Sequence, residues 1–74
     1  MSSEISQKVI DLLSPSIGDF MAKAKVMAAC KMANLNIDTL DKSQIMQFAD
    51  KFESVCAALG PEIAKNLKQK VLAL

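Results

Sequence analysis

Few residues in this chain could do chemistry, and their spacing limits what that chemistry would be. Cys30 and Cys56 are potential nucleophiles, but a thiol needs a neighbouring base, and the chain has no histidine to carry protons at neutral pH. A lysine or carboxylate could substitute, yet no spacing selects one. There is no CxxC pair, so neither a zinc site nor a disulfide framework is indicated. Both cysteines are expected to be small buried apolar residues of a reducing compartment.

Asn34-x-Asn36-x-Asp38 sets out alternating oxygen donors, like the first three ligand positions of an EF-hand calcium loop. Thr39 stands where that loop needs glycine, and Ile45 where it needs a bidentate glutamate. These residues therefore read as turn formers. Asp50 and Glu53 lie one helical turn apart on what should be a wet face, where carboxylates ordinarily serve solubility. No motif of catalysis, metal binding or nucleotide binding emerges, so the reading expects no cofactor, no metal and no enzymatic activity.

Lys65, Lys68 and Lys70 form a candidate anion-binding group, which Lys23, Lys25 and Lys31 could extend. They motivate one functional alternative, weak electrostatic binding of nucleic acid or an anionic membrane surface. Against it stand a net charge of only +1 and the absence of arginine, the usual reader of guanine edges and bidentate clamp on phosphate. Tryptophan and tyrosine are also absent, leaving three phenylalanines for stacking. Lysines near the end of a carboxyl-terminal helix also suit its dipole.

The elements that would position these groups read as four helices, at about 3 to 13, 15 to 33, 42 to 59 and 61 to 73. Ser2 or Ser3 caps the first, whose apolar line is Ile5, Val9, Leu12 and Leu13, with Ile10 at the margin. Ser14-Pro15-Ser16 is expected to end it and to start the second helix, with Ser14 as cap and Pro15 at the first helical position. This long, central second helix has two apolar sides when its residues are sorted at about 100° each. Ile17, Phe20, Met21, Ala24, Met27 and Ala28 have the spacing of a core face, although Lys31 sits near the same line. Ala22, Val26, Ala29 and Ala33, with Cys30 beside them, form a second stripe of small residues that would let another backbone approach. Met21, Met27 and Met32 suggest core filling, with an adaptable groove for a partner helix as the competing use.

Asn34 suits a left-handed helix cap, and Leu35, Ile37 and Leu40 should pin the following connection to the core. Asp41 and Gln44 match a capping box, with Leu40 and Ile45 as its hydrophobic staple. The helix they start carries one clear stripe, Ile45, Phe48, Ala49, Phe52, Val55, Cys56 and Leu59. Gly60-Pro61 should close it and open the last helix, with Glu62 opposing the dipole and Ile63, Ala64, Leu67, Val71 and Leu74 turned inward. LLSPSI and ALGPEI look alike as helix-break-helix devices, but the flanking residues do not match.

The chain is thus read as an all-α, compact four-helix single domain spanning 1 to 74, completed by dimerisation if a second copy covers the small-residue stripe. Phosphopantetheine carriers also pack four helices into about this length, but they have Asp-Ser-Leu at the start of the second helix. Here Gly18-Asp19-Phe20 stands in that place. A chain this short buries about 60 to 65% of its unfolded surface, so a hydrophobic content of 51% suggests that some apolar surface meets a partner. The expected function is a small cytoplasmic protein-interaction module, a homo-oligomer or a binder of another protein, with Ala22, Val26, Ala29 and Ala33 as the candidate interface. No secretory signal and no membrane span are read from the sequence.

Overall fold

Four α-helices follow one another in the computed structural model, which describes residues 2–74: α1 (Glu4–Ile17), α2 (Asp19–Met32), α3 (Ile45–Cys56) and α4 (Pro61–Leu72). Single 3-10 turns, Lys42–Gln44 and Ala57–Leu59, lead into and out of α3. No strand occurs among the described residues. The helices pack mainly in sequence order, α1 on α2, α2 on α3 and α3 on α4. The radius of gyration, 10.6 Å, matches the ~11 Å expected of a folded domain of this length.

Local sequence explains most boundaries. The Ser3 side chain accepts the Ser6 amide at 3.1 Å and so caps α1. Asn34 adopts φ 61° after α2; its N–H meets the Lys31 carbonyl and the Leu35 N–H meets that of Cys30 at 2.7 Å, a Schellman ending. Asp41 and Gln44 form the expected capping box. Gly60, at φ 123°, turns the chain into Pro61 at the start of α4.

The first break lies elsewhere than the sequence suggests. Pro15 does not start the second helix but sits in the last turn of α1, which runs on to Ile17. In that turn the missing proline N–H leaves only the Asp11 carbonyl without its helical donor, and Asp11 is exposed. The Ser14 hydroxyl donates to the Ile10 carbonyl at 2.8 Å, and the added turn lets Ile17 pack on the core. Gly18 makes the break instead, at φ 85° and ψ 162°, a conformation that essentially only glycine adopts. As a result α2 has 14 residues, shorter than the expected 15 to 33 but sharing with α1 the greatest length among the elements. It is nonetheless central, since it packs against both α1 and α3.

The core combines Val9, Ile10 and Leu13 of α1, Ala22, Val26, Ala29 and Cys30 of α2, and Phe48, Ala49, Phe52 and Cys56 of α3. Ile5 at the start of α1, Ala64 and Val71 of α4 and Leu40 of the connection complete it. Phe48 and Phe52 stack with ring centroids 5.3 Å apart. Ile10 is buried rather than marginal, while Leu12 is only partly covered. Leu35 and Ile37 pack against the core from the connection. The Ile37 carbonyl also accepts from the Ser3 N–H at 3.0 Å and from the Ser6 hydroxyl at 2.7 Å, so the start of α1 is tied to the α2–α3 connection.

Candidate functional site

The residues singled out from the sequence do not converge on a catalytic centre. Cys30 and Cys56 are free and buried, as expected, and burial pushes both thiols above their ordinary value, with Lys25 partly offsetting this at Cys56. A raised value keeps these sulfurs protonated and poor as nucleophiles at neutral pH. The Asn36 side chain accepts the Asp38 amide at 2.8 Å, and the Thr39 N–H meets the Asn36 carbonyl at 3.1 Å, so the Asn34–Asp38 stretch closes a turn. Among the described residues no three of His, Cys, Asp and Glu group as they would around a metal ion.

The lysine trio is split. Lys68 Nζ reaches Asp50 Oδ1 at 2.8 Å and Glu53 Oε1 at 3.4 Å, so it clasps α4 to α3. Its hydrogen bond to Asp50 raises the Lys68 value, and the same bond with the lysine charge holds the Asp50 carboxyl low. The two carboxylates read as a solvated pair therefore have a partner one helix away. Lys65 shares a shallow polar groove with Glu62, Asn66 and Gln69, and Lys70 is exposed. The anion-binding group is thus left without Lys68, which carboxylates already occupy.

The largest departure concerns α2. Ala22, Val26 and Ala29 are wholly buried within this single chain, and Ala33 is partly covered. The stripe expected to receive a second copy is instead the face that α2 turns toward α1 and α3, because small side chains allow two neighbouring helices to pack closely at once. The residues expected to fill the core are outside. Phe20 is 85% exposed, Met21 48%, Met27 41% and Met32 54%, and Ala24 and Ala28 are exposed with them. Only Ile17 of that expected core line stays packed, and it belongs to α1.

This outer face has structure of its own. At the carboxyl-terminal end of α2 a cleft of about 180 Å³ opens between Met27, Cys30 and Lys31 of the helix and Leu35, Asn36 and Ile37 of the connection. Lys23 and Lys31 are exposed and Lys25 is half-buried, and none of the three is paired with a carboxylate among the described residues. The surface is an apolar strip with a recess at one end, Lys31 on its line and Lys23 and Lys25 to either side. No known family, curated protein or solved structure matches this chain. One sequence signal pointed to this surface: Lys31 falls on the line of the large apolar residues, where a buried stripe would not carry an unpaired charge.

Proposed function

We propose that this protein is a small helical interaction module whose docking surface is the outer face of α2. One observation carries the reading: α2 is apolar on two sides, its small-residue side fills the core, and its large side chains, led by Phe20, remain in water. The accessible surface, 4547 Å², is close to the ~4,450 Å² typical of a complete folded monomer of this mass. Exposure of the strip is therefore not the mark of an unfinished core. Large apolar side chains grouped in water on one helix favour an interaction site, and methionines adapt their shape to a partner. Among the described residues no helix is long and apolar enough to cross a membrane.

The test is a photo-crosslinking amino acid placed at Phe20 in the cell of origin, with the same group at Lys70 as a control surface. A discrete crosslinked product from position 20 and none from position 70 is the expected result. Equal or absent products at the two positions would remove the outer face of α2 as the docking surface.

A further inference from the structure

The charge around the strip narrows what it binds. α2 holds three lysines, Lys23, Lys25 and Lys31, against one carboxylate, Asp19 at its amino terminus, whereas the rest of the chain holds six lysines against seven carboxylates. α4 has the same balance, Lys65, Lys68 and Lys70 against Glu62, but Asp50 and Glu53 occupy its Lys68, so α2 is the helix whose three lysines all stay unpaired among the described residues, and it carries Phe20, Met21, Met27 and Met32 of the exposed large apolar residues. Resting on the docking reading above, we propose that the outer face of α2 receives an acidic amphipathic helix of a partner protein. The partner's apolar stripe lies along Phe20, Ala24, Met27 and Ala28, one of its side chains enters the cleft between Met27 and Ile37, and its flanking carboxylates meet Lys23, Lys25 and Lys31.

Three observations select this occupant. First, a second copy would bring its own three lysines to the same seam, and like charges facing each other across an interface disfavour the pairing. Second, an anionic bilayer would satisfy the lysines but has no protruding side chain for the recess, which Leu35 and Ile37 line with apolar surface. Third, with no strand among the described residues there is no sheet edge for an extended peptide to join, so helix-on-helix docking is the available mode. From Phe20 to Met32 the strip runs about 18 Å at 1.5 Å per residue, which calls for a partner helix of roughly 12 to 14 residues.

The probe is a display library of helical peptides of about 14 residues, with leucine fixed along one stripe and the other positions varied among Glu, Gln and Lys, selected against the full chain. Selection should recover Glu-rich peptides that no longer bind F20S/M27S. Replacing the cations in K23Q/K25Q/K31Q should weaken binding about tenfold, as three exposed ion pairs together would, and K23E/K25E/K31E should shift the selection to Lys-rich peptides. Circular dichroism of each variant confirms that the fold is retained. Peptides that require Phe20 and Met27 but show no preference for Glu would overturn the acidic partner and leave the docking surface standing. Recovery of no binders, or only of binders indifferent to F20S/M27S, would overturn both. Two further results would replace the occupant: a dimer in light scattering that F20S dissociates, or binding to phosphatidylserine vesicles in place of the peptides.

Discussion

Both long sides of α2 are apolar, and the one with the smaller residues is buried. Ala22, Val26 and Ala29 vanish between α1 and α3, while Phe20, Met21, Met27 and Met32 stand in solvent on the opposite side. Hydrophobic size alone would have chosen the reverse. What decides is geometry: a helix flanked by two neighbours in a short chain must let both approach, and the large apolar volume comes from those neighbours, as Leu13 of α1 and Phe48 and Phe52 of α3 show.

The contrast is best broken on the inner side. Val26→Asp places an unpaired charge in the core, a loss on the order of 4 kcal/mol, against a total stability of roughly 4 to 11 kcal/mol for a chain of this length. Circular dichroism should show the melting temperature lowered by about 20 °C or more, or the fold lost; a native melting curve would mean that this side is not the core. Ala29→Leu tests the same side by volume, because overpacking a tight helix contact costs about 1 to 3 kcal/mol. The melting temperature should drop by about 10 °C. On the outer side Phe20→Ser should change stability by less than about 0.5 kcal/mol, so a large loss there would erase the distinction between the two sides.

The smallest effect belongs to the Asp50–Lys68 pair, exposed on the far side of α3. Asp50 is held below its ordinary value of 3.8, so its contribution is present above that value and lost as pH falls through the lower folded one. Lys68 is raised above 10.5, so its contribution is present below that value and lost as pH rises through the higher folded one. The slight advantage of the wild type over Asp50→Asn should therefore be full at neutral pH and close toward both extremes in thermal melts. A gap constant across pH would assign the difference to packing rather than charge.

Much of the fold was legible in the sequence, for reasons visible residue by residue. The capping box at Asp41 and Gln44, the left-handed Asn34, the Gly60-Pro61 junction and the single stripe of α3 are local signals that nothing in the tertiary structure opposes. Pro15 misled because a proline suits a first helical turn better than a last one; here the last turn of α1 gives up one hydrogen bond at the exposed Asp11 carbonyl, and the break falls at Gly18. The candidate surface was less legible. With two apolar sides, α2 has no periodicity that says which is inward, and that choice depends on how near α1 and α3 come. Lys68 was read as part of an anion-binding group, and its pairing escaped notice for a related reason, since its carboxylates lie 15 or more positions away along the chain.

The two donors converging on the Ile37 carbonyl have a consequence for how the molecule breathes. They close residues 3 to 37 into a covalent and hydrogen-bonded ring containing α1 and α2, whereas α4 leans chiefly on α3 and is clasped there at the surface by Lys68. Native-state hydrogen exchange should therefore sort the amides into two classes. Those of α4 open by local detachment and exchange early, while those inside the ring wait for the whole chain to unfold, so the scaffold beneath the outer face of α2 stays intact when the carboxyl-terminal helix lifts away.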